Sequence, residues 1–94
     1  MSTSLFCKLV TPESCLIAEA VWQVTVPGSG GRFSIRRDHA PVIASLHAGE
    51  LEIAVSEKDR RIFKVDEGIV YCGNNRCTIL CPSAAQVVTK QPSS

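Results

Sequence analysis

TPESCLIAEAVWQVTV, residues 11–26, decides between two fold classes. Thr11-Pro12-Glu13-Ser14 has the form of a helix N-terminus: a capping threonine, a proline in the first turn, and an acid that complements the helix dipole. Leu16 to Gln23 then passes as helix on propensity. The same stretch closes on Trp22, Val24 and Val26 at alternate positions, which is a strand pattern, and no stop signal separates the two. Local rules weigh the readings evenly.

Outward from this stretch the alternation is plain. Pro27-Gly28-Ser29-Gly30-Gly31 breaks the chain, and without the lysine and helix of a phosphate-binding loop it reads as a hairpin turn. Phe33 and Ile35 point one way while Arg32, Ser34 and Arg36 point the other. Leu51, Ile53 and Val55 alternate with Glu50, Glu52 and Ala54, and Phe63 and Val65 with Lys64 and Asp66. Ile69 to Cys72 and Cys77 to Cys81 bracket a Gly73-Asn74-Asn75 turn. Short strands with a turn about every ten residues predict an antiparallel sandwich or barrel. The core is expected to hold Trp22, Val24, Phe33, Ile35, Ile53, Val65, Ile69 and Ile79.

Composition narrows the function. The chain has 94 residues, 45% of them hydrophobic and 20% charged, with a net charge of +1. That is one small domain with no broad field for nucleic acid or anionic lipid. MSTSLFCKLVTPES lacks the pattern of a signal peptide, and no apolar run approaches the ~20 residues of a membrane helix. The expectation is a soluble intracellular protein, or one peripheral to a larger assembly. Five cysteines, an odd count without an export signal, predict reduced thiols that act as small core hydrophobes. Cys77 and Cys81 on one strand face sit about 13 Å apart, too far to share a zinc or a disulfide. Cys72 and Cys77 flank the turn and can face each other across it. A stand-alone β-sandwich that binds metal or senses redox state, through Cys72, Cys77 and Cys81 with His39 or His47, is the alternative function.

No catalytic constellation emerges. His39 has no serine or cysteine at the spacing of a nucleophile pair, and Pro41 stiffens the loop that carries it. Arg36-Arg37 and Arg60-Arg61 read as solvated edges or turns that discourage sheet-to-sheet association.

The order of these elements is specific where each alone is weak. A Gly-rich turn precedes G-x-F-x-I-x-x-x-H-A-P-V, followed by A-G-E-L-x-I, F-K-V-D-E-G-I-V and N-R-C-T-I-L. This closely resembles the N-terminal domain of the epsilon subunit of F-type ATP synthases, over residues 5–86. The resemblance implies an all-β fold, a flattened antiparallel sandwich of about ten short strands, with a turn and strands where residues 11–23 lie. It implies residues 1–86 as that domain and residues 87–94 as a polar tail. It also implies a place at the foot of the rotating central stalk, where the domain docks a gamma subunit to the ring of c subunits without bond chemistry or cofactor. His39, Ala40 and Pro41 are then expected to meet gamma, unless His39 merely bonds its own loop backbone. Ser29, Gly30 and Arg32 are expected to meet the c ring.

Three departures from the family pattern stand out. Ser34 and Arg37 replace the usual glycine and proline, and Arg32 stands where an acid is common, so Arg32, Arg36 and Arg37 are expected to make the ring end basic. The family commonly continues past Ala84-Ala85 into a two-helix domain that brakes hydrolysis and in some members binds ATP. Gln86 to Ser94 falls short of the ~12–15 residues of a marginal helix. The expectation is therefore a coupling subunit with no helical hairpin, no ATP binding and no membrane insertion. Its expected location is peripheral, on the cytoplasmic side of a bacterial inner membrane or the organellar equivalent.

Overall fold

A computed structural model of the chain describes residues 5–87, and all regular structure among them is β. The strands are β1 (Leu5–Val10), β2 (Cys15–Val21), β3 (Gln23–Gly28), β4 (Gly31–Arg36), β5 (Val42–Leu46), β6 (Gly49–Ala54), β7 (Arg60–Val65), β8 (Gly68–Gly73), β9 (Arg76–Leu80) and β10 (Ala84–Val87). They pair in the order β10-β7-β6-β3-β5-β8-β9-β1-β2, with β4 on the free side of β3. The link between β3 and β5 is one bridge, Gly28 to Leu46. It marks the corner where the sheet folds into two layers, β2-β1-β9-β8-β5 and β10-β7-β6-β3-β4. Every pairing is antiparallel except β1 with β9.

The ambiguous stretch is a turn followed by a strand. Thr11 does what a capping threonine does, since its Oγ1 accepts the Ser14 amide at 3.2 Å. The Thr11 amide in turn donates to the Ser14 carbonyl at 2.8 Å. The side chain that would start a helix closes a β-turn instead. β2 then pairs along β1, from Leu5–Val21 to Val10–Cys15, and buries Ile17 and Val21. Tertiary pairing overrides a helix propensity worth a few tenths of a kcal/mol per residue.

Alternate residues of both layers fill one core. Leu5, Cys7, Leu9, Val70, Cys77 and Ile79 come from one side, and Val24, Val26, Ile35, Leu51, Ile53 and Phe63 from the other. Val24, Ile35, Ile53, Val65 and Ile79 are buried as expected, and Phe33 is half-buried against them. Two expected core residues are not inside. Trp22 is 37% exposed because the chain bends between β2 and β3, and the alternation restarts after Val21. Its ring lies under the Arg36 guanidinium, 5.2 Å from the centroid, a cation–π contact. Ile69 is 41% exposed because Val70 and Cys72 take the inward positions of β8. Gly68 opens that strand where space is closed: a Cβ there would collide with the Leu80 carbonyl and lie 2.9 Å from the Cys81 Cα.

Phe63→Ala should cost about 3–5 kcal/mol of folding stability, because the side chain is fully buried and the cavity collapses only partly. Ile43→Ala, at a position 67% exposed, should stay within ~0.5 kcal/mol. Urea denaturation of both variants measures the contrast.

Candidate functional site

Turns gather at the two ends of the sandwich. One end carries the β1–β2 turn, Ser29-Gly30, His47-Ala48, Asp66-Glu67 and residues 81–83. These are tied by backbone bonds from the amides of His47 to Pro27 (2.7 Å), Asp66 to Ser83 (3.1 Å) and Cys81 to Val10 (3.2 Å). The opposite end carries Trp22, the loop 37–41, the turn 56–59 and Asn74-Asn75. Here the Trp22 amide donates to Ala54 (2.8 Å) and the Phe6 amide to Asn75 (2.9 Å).

The residues expected to meet two partners fall at these two ends, joined by β4. A six-residue strand separates them by about 17 Å. At the hairpin end, Ser29 and Gly30 form an exposed turn, and Gly31 has φ 117°, a conformation that favours glycine. Arg32 is exposed and its Nη1 donates to the Glu50 carbonyl at 3.1 Å, which braces the hairpin against β6. The expected basic cluster does not form. Arg36 and Arg37 lie at the far end of β4, about 13 Å from Arg32, because the strand runs the length of the layer. Arg36 stacks on Trp22 and bonds Gln23 Oε1 at 2.6 Å, and Arg37 pairs with Asp38 at 3.6 Å.

The second end holds His39, Ala40 and Pro41, all exposed. The His39 amide donates to the Arg36 carbonyl at 3.1 Å, with Asp38 at φ 66° completing the turn. His39 Nδ1 lies 2.7 Å from the Ala40 carbonyl. A carbonyl only accepts, so Nδ1 is the donor in this contact, and Nε2 is the ring nitrogen left without a partner in the loop. The loop is also tied to the β8–β9 turn: Asn75 Oδ1 accepts the Asp38 amide at 2.6 Å, and Asn75 Nδ2 donates to Asp38 Oδ1 at 3.3 Å.

The cysteines correct one expectation. Cys72 and Cys77 are not free thiols; they are joined by a disulfide across the β8–β9 hairpin, with Cα atoms 4.1 Å apart. They sit directly opposite, one pair behind a two-residue turn, at a position where side chains of an antiparallel ladder approach most closely. Cys7, Cys15 and Cys81 are free. Burial, with a smaller push from Glu19, raises the Cys7 thiol to about 12, and burial with Asp66 raises Cys81. Among the described residues no three His, Cys, Asp or Glu side chains are placed to hold a metal ion.

A surface that the sequence reading did not identify lies on the outer face of β5, β8 and β9. Ile43 (67% exposed) pairs with Tyr71 (57%), and Ile69 with Leu80 (47%). The signal was present: residues 69–72 are apolar at consecutive positions. An antiparallel strand with one wetted face alternates, so apolar residues on both faces call for a cover on each.

Residues 4–87 match the family described as ATP synthase, Delta/Epsilon chain, beta-sandwich domain. The chain is 31% identical to the ATP synthase epsilon chain of Chelativorans sp. over 87 residues, covering 93% of this chain and 64% of that one. It is 33% identical to the epsilon chain of Rhodospirillum centenum over 90 residues, covering 93% and 61%. The chain thus spans less than two thirds of the length of these relatives. Its fold is similar to a chain of the Euglena gracilis mitochondrial ATP synthase, with TM-score 0.85, 15% identity, and coverage of 92% and 55%. It is also similar to a chain of the Tetrahymena thermophila mitochondrial ATP synthase central stalk and c ring, with TM-score 0.74, 19% identity, and coverage of 85% and 64%.

The thiols give a direct check on this geometry. At pH 8 iodoacetamide should label exposed Cys15 while Cys7 and Cys81 react only on unfolding, since the thiolate is the nucleophile. The Cys7 thiol is raised in the folded chain alone. Its stabilising contribution is therefore full below about 9 and is lost as pH climbs towards about 12. Denaturation midpoints across that window should fall less steeply in Cys7→Ala than in the parent.

Proposed function

The chain belongs to the ATP synthase delta/epsilon-chain β-sandwich family, and on that premise we propose that it is a non-catalytic part of the synthase's rotating central stalk. In this reading it docks a gamma subunit to the c ring and couples proton transport to ATP synthesis by transmitting torque. The observation that carries the reading is the uncovered apolar face of Ile43, Ile69, Tyr71 and Leu80, which an isolated sandwich has no use for.

That face takes gamma. Tyr71 and Ile43 supply the apolar anchor, and the loop of His39, Ala40 and Pro41 extends the contact at the rim. Pro41 limits the freedom the loop loses on docking, and His39 Nε2 offers the partner a hydrogen-bonding site. Ser29, Gly30 and Arg32 take the c ring at the opposite end, so both partners bind at once. Rigidity between the ends is what the function needs. Strand pairing supplies it, as does the cross-layer ion pair of Arg61 with Glu19 (2.8 Å), Arg61 also reaching Asp59 (3.1 Å). Location is peripheral through the ring, on the cytoplasmic side of a bacterial inner membrane or its organellar equivalent. Among the described residues no helix is long and apolar enough to cross a membrane.

Binding of the chain to its gamma subunit, followed by calorimetry, tests the assignment. Ile43→Asp with Tyr71→Asp should weaken it about 100-fold or more, because two charges enter a desolvated contact. His39→Ala with Pro41→Gly should cost about 1–2.5 kcal/mol, the sum of a lost hydrogen bond and restored loop freedom. Arg32→Glu should leave gamma affinity unchanged. Full affinity in the double aspartate variant would remove the apolar face from the reading.

A further inference from the structure

Three inward-facing cysteines lie side by side across one layer. Cys7 on β1 is in register with Cys77 on β9, and Cys77 with Cys72 on β8, where the disulfide forms. All three are buried. The bonded pair stands one residue behind the Asn74-Asn75 turn, whose two asparagines hold φ values of 52° and 60°. This is the turn that grips the neighbouring loop. Asn75 exchanges two hydrogen bonds with Asp38 and also accepts the Phe6 amide at 2.9 Å. The turn and the loop also run close together at Gly73, where an added Cβ would lie 3.8 Å from the Pro41 Cβ.

We propose that the Cys72–Cys77 bond is a reducible crosslink that sets the order of the loop Asp38–Pro41. The reductant is a dithiol. One of its thiolates attacks a sulfur of the pair, the mixed disulfide resolves through its second sulfur, and the dithiol leaves as its own disulfide. Cys72 and Cys77 each end as a protonated thiol, so two electrons and two protons pass to the chain. The ladder between β8 and β9 persists, because Val70 and Ile79 remain buried behind the pair. What is released is the turn. Two asparagines in left-handed conformations, no longer held by a crosslink directly behind them, leave Asp38 with a mobile partner.

The row of cysteines keeps this bond specific. Cys7, the thiol nearest to Cys77, is protonated at neutral pH because burial raises it to about 12, so it does not compete for the disulfide. Both bonded sulfurs are buried, and reduction therefore follows local opening of the hairpin end rather than direct attack. That the loop docks a partner rests on the function proposed above; its coupling to the crosslink does not.

The test uses the full 94-residue chain without any partner, so its outcome is independent of gamma binding. Alkylation in denaturant should add three labels before reduction, at Cys7, Cys15 and Cys81, and five after dithiothreitol. Hydrogen exchange read by mass spectrometry should then quicken about five-fold or more at residues 38–42 on reduction, while the amides of Leu51 to Ile53 keep their protection. Cys72→Val with Cys77→Val should show the fast loop in both conditions. Asn75→Ala, which keeps the crosslink, should also show the fast loop with three labels and no response to dithiol. Five labels without reduction overturn the proposal. So does a loop whose exchange ignores reduction, or a global loss of protection when the bond opens.

Discussion

Val24, Leu51, Ile53 and Phe63 from one layer share a core with Leu5, Leu9, Val70 and Ile79 from the other, and this contact sets where every turn lies. Each strand must present alternate residues inward, so its length is limited to what the facing layer can cover. Turns are forced to the two rims as a result. The side chains left over on the outer faces are free to be polar or to meet something else. Gly68 shows how tight the arrangement is, since even a methyl group there meets the backbone of the strand beside it. Trp22 and Ile69 show the other side of the same constraint: large apolar residues are left outside when their neighbours hold the inward parity.

Much of the fold was legible. Wherever polar residues mark the outer face, as Glu50 and Glu52 do for Leu51 and Ile53, alternation identifies strand and inward face together. The same rule is silent where the marks are missing. Residues 69–72 carry no charged side chain, so the pattern does not say whether Ile69 or Val70 faces the core, and pairing with β5 and β9 decides. At Trp22 a bend resets the parity, and a bend is not written in hydrophobicity. Residues 11–14 misled for a sharper reason. A threonine accepting an amide three residues on is the same local interaction in a helix cap and in this turn, and only pairing of β2 with β1 distinguishes them.

The candidate sites divide along similar lines. His39-Ala40-Pro41 could be picked out because a proline beside an imidazole is a local statement about a loop. The opposed placement of Arg32 and Arg36 could not be seen without the direction of β4, and grouping them as one basic end ignored strand length. The outer apolar face was present only as an excess of hydrophobic residues, which a single-chain reading assigns to the core by default. The cysteine pair was half visible: the turn placed Cys72 opposite Cys77, but an odd count favoured free thiols over the bond that cross-strand proximity allows.

The pairing of β1 with β9 carries a consequence for how the chain is made. A strand from the start of the sequence lies parallel to one from near its end, in register from Phe6–Arg76 to Val10–Leu80. During synthesis β1 and β2 emerge before the other eight strands and can form their hairpin at once. The other edge of β1 stays open until residues 76–80 have followed it from the ribosome, several seconds later at ~5–20 residues per second. The layer therefore closes along a seam between strands about seventy residues apart, a non-local pairing of the kind that slows folding and leaves a strand edge open meanwhile. Lys8 projects from the middle of that open strand on its exposed face. A charge there disfavours pairing with another nascent chain and leaves the seam for β9.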